Sequence, residues 1–278
     1  MLQVILRRLL MSVPLVFVVT FLTFFLNSLA PGDLASTILG ADATREQYEA
    51  LRTELGLDRP LVMQYLAWLW QAVQGNLGVS FFTQESVVGL LSSRMGVSVS
   101  IMLGVLLVCL SLGLLLGVAS ALKGGWVGRA IDAFSLLGLI FPSFWLALVL
   151  ISVFAVTLRW FPATGYTPFS DSPKDWALSL VLPIISVSMY SITSIAKQTR
   201  DAMTDVMGRD FIRALRACGL PERSVIWKHA LRNAALPVVT VLGLVMVAAI
   251  SGTVFVERVF VLPGLGSLAV SAALNKDI

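Results

Sequence analysis

Five runs of 21 to 26 residues carry no charged side chain: 9–29, 97–122, 133–158, 176–196 and 234–256. A helix needs about 20 apolar residues to cross a hydrocarbon layer of about 30 Å, and lipid offers its backbone no outside partner. The chain therefore reads as an all-α membrane protein with five visible spans. Composition agrees. Of 278 residues, 57% are hydrophobic and 13% charged, where a soluble domain carries about 25% charged residues. Pro142 and Pro183 fall inside the third and fourth runs. Interior prolines kink helices, and membrane helices tolerate them.

The first run follows Arg7 and Arg8 and ends near "SLA" at 28–30, which together resemble a secretory signal. Its length exceeds the usual apolar region of about 7–15 residues, so it reads as a retained span. Orientation follows from Lys and Arg. With the N-terminus inside, the inside segments hold 12 of the 20 basic residues and 5 of the 16 acidic ones. The outside segments then hold the other 8 basic and 11 acidic residues. Five spans from that start leave the C-terminus outside, at "ALNKDI". Cys218 would face a reducing compartment, so no disulfide with Cys109 is expected.

The segment between the first two runs has its own pattern. In "TREQYEALRTELG", Thr44 and Gln47 have the spacing of a capping box, and Gly56 suits the position after a helix. Pro60 suits the first turn of a second helix. There Leu61, Tyr65, Trp68, Leu69 and Ala72 share one face. Trp68 and Trp70 suit a membrane–water interface. These helices either pack on the bundle or form a platform for an external partner.

One segment breaks the apolar pattern. In "RDFIRALRACGLPERSVIWKHALR", 8 of 24 residues are charged. Phe211, Ala214, Leu215 and Cys218 project to one helical face, and Arg209, Arg213 and Arg216 to the opposite one. Gly219 can end that helix and Pro221 start another, with Glu222 in its favourable first turn. Such a unit can bind anionic headgroups, serve only as a positive anchor, or dock a soluble partner.

Several classes have no residues to work with. A lone histidine, His229, and two distant cysteines make no zinc site. No G-x-x-x-x-G-K-[ST] or G-x-S-x-G occurs, so neither a P-loop nor a nucleophile elbow is expected. No span centre holds a charge, which counts against ion-coupled transport. No catalytic, cofactor-binding or metal-binding residue is expected, and no nucleic-acid partner. The fourth run carries Ser186, Tyr190, Ser191 and Ser194, which either bond within the helices or line a polar path.

"RDFIRALRACGLPERSVIWKHALRNAALPVVTVLGL" resembles the EAA loop of ABC-importer permeases, in the version of the dipeptide/oligopeptide/nickel permease family. "LAPGDL", "ELGLDRPLVMQYLAWL", "GNLGVSF", "FPSFWLALVLI", "FPATGY" and "VFVERVFVLPGLGSL" stand in that family's order, and the likeness covers essentially the whole chain. It implies a multi-span bundle of the type I ABC importer permease kind, in a bacterial or archaeal cytoplasmic membrane. An N-terminal helix and extracytoplasmic segment would occupy 1–94, and the permease core 95–278. The coupling loop would lie at about 201–235.

The implied partners are a second homologous permease, two cytosolic P-loop ATPases and an extracytoplasmic solute-binding protein. ATP and Mg would be bound by the ATPases, so the chain is not itself an enzyme. The resemblance gives Gly219 the bend of the coupling loop, and Ala214 and Ala217 close approach. It sets Arg213 and Arg216 against acidic ATPase surface and has His229 and Leu231 seat the second helix. The cargo would be a di- or oligopeptide, with nickel or glutathione as family alternatives. Where the family usually has Lys before that glycine, this chain has Cys218; it also has Asn76 in "GNLG", and Leu34 after Asp33. The family's sixth span is missing after "ALNKDI". A truncated sequence, or a relic or scaffold that does not transport, is the expectation tied to that difference.

Overall fold

In the computed structural model, residues 2–29, 39, 44–54, 56–80, 82–123, 125–275 and 277 are described. Of the "LAPGDL" stretch all but Leu29 lies outside them, Leu34 included. The described residues are helical with no strand; one isolated bridge pairs Val79 with Ser86. The chain divides into two compact units, Met1–Ser93 with Ala269–Ile278, and Arg94–Leu268.

In the first unit, α1 (Leu2–Leu29) is a single apolar helix. No residue of its stretch Leu6–Leu26 is fully buried by the rest of the chain. Next, α2 (Arg45–Glu54) starts at the capping box its sequence announces. The Thr44 amide donates to Gln47 Oε1 at 3.0 Å, and the Gln47 amide donates to Thr44 Oγ1 at 3.3 Å. Gly56 follows with φ 66°, and the Leu57 amide reaches back to the Arg52 carbonyl. Pro60 is the N-cap of α3 (Leu61–Val73). The face bearing Leu61, Tyr65, Trp68, Leu69 and Ala72 is the covered one.

The second unit is built around one long helix, Pro173–Met207, against which most of its other helices pack. α4 (Val87–Val108) enters it and continues through a π-helical turn (Cys109–Gly113) into α5 (Leu114–Leu122). Together these make one apolar helix, Val87–Leu122, long enough to cross a bilayer. The third apolar run behaves differently from the kinked single helix its sequence suggests. It is divided between α6 (Gly125–Ile140) and α7 (Ser143–Leu150), which runs on as a π-helical Ile151–Thr157. Pro142 has extended backbone and caps α7. Its missing N–H and its ring disfavour helical backbone at Phe141, so the run breaks there.

α8 (Pro173–Met207) keeps Pro183 inside an unbroken helix. After α9 (Asp210–Ala217), α10 (Glu222–Ser224) leads through a π-helical Val225–Ala230 into α11 (Leu231–Val259), and α12 (Leu265–Asn275) follows. Among the described residues four helices are long and apolar enough to cross a membrane: Leu6–Leu26, Val87–Leu122, Pro173–Met207 and Glu222–Val259.

Glycines in the π-helical turn and in α5 set the distance to α8. A Cβ on Gly113 would stand 2.8 Å from Ile195, and one on Gly117 would stand 2.5 Å from the Ala196 carbonyl. Lipid is as apolar as leucine, so helices associate in it through such close packing rather than through exclusion of water. Around this seam lie the buried Cys109, Ile195 and Val238. A larger cluster of Ile101, Val105, Leu180, Leu182, Val256 and Phe260 fills the end of the unit where α11 meets α12.

Candidate functional site

The charged segment forms the helix, bend and helix its sequence indicates. Asp210 opens α9 and Arg216 lies in its last turn, each the sign that the helix dipole favours there. Ile212 is fully buried, in a cluster with Val118, Met203, Val206, Val225, Ala230 and Ala234. Leu215 and Leu220 pack against the same cluster.

This is a different stripe from the projected one. Ile212 and Leu215 turn inward, while Phe211, Ala214 and Cys218 are exposed. Apolar burial scales with area, and Ile212 with Leu215 outweighs alanine and cysteine, while Phe211 stays at the edge, 37% exposed. α9 therefore rotates to bury Ile212, and leaves an apolar patch of Phe211, Ala214, Ala217 and Cys218 uncovered.

At Gly219 φ is 78°. Its amide donates to the Arg216 carbonyl at 2.9 Å, and the Leu220 amide donates to the Leu215 carbonyl at 3.3 Å. These are the two closing bonds of a Schellman end. A Cβ here would meet nothing within 4 Å, so the backbone angle, not space, asks for glycine. Pro221 then caps the next helix.

The arginines are engaged within the chain. Arg209 reaches Asp205 at 2.8 Å and Arg213 reaches Asp210 at 3.2 Å. Arg216 donates through Nε to both Glu222 oxygens at 3.1 Å. The hydrogen bond to Glu222 holds the Arg216 guanidinium above its ordinary pKa. All three pairs are largely exposed, so each adds little stability. His229 is half-buried, and its carbonyl accepts from Asn233 Nδ2 at 2.8 Å. Leu231 packs on the cluster that holds Ile212. The structure thus gathers Arg213, Ala214, Arg216, Ala217 and Gly219 on a solvent-accessible surface, with Leu231 in its support.

The hydroxyls of α8 do not form one lining. Ser186 is buried and donates to the Pro183 carbonyl at 2.8 Å. Ser191 is buried too, and its hydroxyl has no partner; Ser188 and Thr199 share that condition. Ser194 is half-buried, and Tyr190 is exposed.

One residue was not singled out by its sequence. Glu257 is fully buried near the end of α11. It accepts from Ser98 Oγ at 2.7 Å and from the Ser267 amide at 2.9 Å. Ser98 Oγ in turn accepts from the Leu265 amide at 2.8 Å. The carboxylate and its serine thus satisfy two of the free amides at the start of α12. The signal was available in "VERVFVLPGLGSL": an acid at the end of an apolar run, with Pro and two glycines beyond it.

Residues 113–278 match the family described as binding-protein-dependent transport system inner membrane component. Residues 1–102 match the N-terminal part of such membrane components. A Brucella abortus (strain 2308) protein named for a peptide transport system permease is 41% identical over 279 residues, covering 100% of this chain and 89% of the relative. The oligopeptide transport system permease protein AppB of Bacillus subtilis (strain 168) is 35% identical over 277 residues, covering 98% of this chain and 88% of the relative.

Proposed function

The chain belongs to the family of binding-protein-dependent transport system inner membrane components, and on that premise we propose that it is the permease subunit of an ATP-driven importer of di- or oligopeptides. The names of the relatives support a peptide cargo. The observation that carries the mechanism is the patch of Phe211, Ala214, Ala217 and Cys218 beside the Gly219 bend. It is an apolar surface on a rigidly closed helix–turn–helix that the chain itself leaves uncovered.

In this reading the patch seats in a groove on a cytosolic P-loop ATPase, which binds the ATP and Mg. Ile212, Leu215 and Leu231 fasten the segment to α5, α8 and α11. Movement of the ATPase then reaches the spanning helices as a displacement of one packed cluster. Coupling needs two arrangements of that cluster with different affinity for the two nucleotide states. A second permease completes the pathway, an extracytoplasmic binding protein delivers the peptide, and the N-terminus lies inside.

The test is affinity capture of the full chain from its own membranes in mild detergent, followed by mass spectrometry. A second permease and P-loop ATPases in stoichiometric amounts are expected. Their absence from membranes that contain them would overturn the reading. Peptide-dependent ATP hydrolysis by the reconstituted complex tests the cargo.

A further inference from the structure

α3 lies in the segment expected to sit outside the membrane, yet over Leu61–Val73 it has no charged residue. One face packs on α1. Tyr65 is 6% exposed, and its ring meets Phe21 at 5.3 Å and Phe24 at 5.9 Å. Its hydroxyl lies 2.9 Å from Thr20 Oγ1 and donates to the Phe17 carbonyl at 3.3 Å.

These contacts fix a depth. All four partners lie within Leu6–Leu26, the apolar stretch of α1. Thr20 is six residues short of its end, or about 9 Å at a rise of ~1.5 Å per residue. The half-thickness of a hydrocarbon layer is about 15 Å. Tyr65 therefore meets α1 inside the hydrocarbon, below the headgroups.

The opposite face of α3 is bare. Val62, Met63, Leu66, Trp70 and Val73 are all more than half exposed, Trp70 at 70%. Leu22, Phe25 and Leu26 of α1 are exposed as well. Of the two glutamines of α3, Gln64 is satisfied by the chain itself, as lipid favours, and Gln71 is exposed. Gln64 donates to the Arg59 carbonyl at 2.8 Å, and the amides of Gly75 and Asn76 close the far end onto Ala72 and Gln71 at 3.0 Å.

We infer that α3 is embedded in the bilayer beside α1, with Val62, Met63, Leu66, Trp70 and Val73 against lipid acyl chains. With the N-terminus of α1 inside, this is the outer leaflet; the embedding itself does not depend on that orientation or on the cargo. It gives the chain a half-membrane helix between its first and second spans.

Nitroxide scanning of the full chain in lipid bilayers tests this. Met63→Cys, Trp70→Cys and Val73→Cys are made separately in a Cys109→Ala, Cys218→Ser background, with Leu15→Cys and Asp58→Cys as lipid and water references. Only variants that elute as a single species are scored, so one misfolded variant leaves the others to decide. Embedding predicts that collision with oxygen, relative to a water-soluble nickel chelate, is several-fold higher at the α3 sites than at Asp58→Cys and close to Leu15→Cys. Ratios like Asp58→Cys would overturn it in favour of a helix in water. Low collision with both reagents would overturn it in favour of a covering protein.

Discussion

Arg216 Nε stands 3.1 Å from each carboxylate oxygen of Glu222, across the bend at Gly219. The pair joins the last turn of α9 to the first turn of α10. It turns Arg216 toward its own chain and leaves it the least exposed of the three paired arginines, after Arg213 and Arg209. The bend thus has two closures, one of backbone bonds at Gly219 and one of charge.

Glu222→Ala removes the charged closure and leaves the backbone one. Hydrogen exchange at the Leu220 amide, which is bonded to the Leu215 carbonyl, should quicken by about two- to fivefold, as fits an exposed ion pair. The swap Arg216→Glu with Glu222→Arg should restore the slow rate. Unchanged exchange in Glu222→Ala would show that the pair adds nothing to the bend.

Gly219 separates backbone strain from loss of the turn. Gly219→Ala meets no neighbour and costs only the left-handed strain, about 1–2 kcal/mol. Gly219→Pro cannot reach φ 78° and deletes the amide that bonds the Arg216 carbonyl. Both should insert in the membrane at normal levels. The alanine variant should keep its ATPases on co-purification, and the proline variant should lose them. Normal retention by Gly219→Pro would remove the bend from the docking surface.

Ile212 and Ala214 are two residues apart and should fail in opposite ways. Ile212→Ala empties a fully buried site and should cost about 2–5 kcal/mol of stability, seen as a lower melting temperature in detergent. Ala214→Arg lands on open surface, so stability should stay within about 0.5 kcal/mol. It should nevertheless abolish ATPase capture. If Ala214→Arg still brings down the ATPases, the exposed patch is not what they grip.

These contrasts mark how far the residues alone could be read. The capping box at Thr44 and Gln47, the end at Gly56 and the bend at Gly219 were legible, because each depends on local backbone chemistry. The positions of the apolar runs were legible for the same reason: lipid leaves little freedom. The break at Pro142 was not, since Pro183 lies in a similar run and stays within a continuous helix. Ile212 was missed because a projection counts directions and not areas. The clasp of Glu257 with Ser98 and Ser267 joins residues up to 169 positions apart, from Ser98 to Ser267, and a pattern along the chain does not carry such a pairing.

Glu257 should be among the costliest residues to replace. Glu257→Ala removes the fully buried acceptor that the Ser267 amide and the Ser98 hydroxyl share. A donor left unsatisfied costs about 1–3 kcal/mol, so the two together should cost about 2–5 kcal/mol. Glu257→Gln keeps one acceptor and sets an NH2 group against a donor, so it should recover part of that, at about 1–3 kcal/mol. Gly264→Ala should match the alanine variant, because its Cβ would collide with the carboxylate. Melting temperatures of the purified proteins check the order; equal stability of Glu257→Ala and the parent would deny the clasp any part in holding α12.

Ser191 and Thr199 allow a test of whether α8 lines a wet path. Thr199 is fully buried, its hydroxyl has no partner, and its Cβ lies against Gly117. Valine has nearly its shape, so Thr199→Val removes an unpaired hydroxyl without opening a cavity. If the seam is dry, the protein should gain roughly 1–2 kcal/mol, and Ser191→Ala should follow in the same direction with peptide transport intact. If water reaches these hydroxyls, neither variant should gain stability, and Ser191→Ala should slow transport instead. Ser186→Ala is the reference for both, since that hydroxyl is satisfied by the Pro183 carbonyl and its loss should change the melting temperature little. A rise in melting temperature for Thr199→Val and Ser191→Ala together would place the path on another face of the bundle.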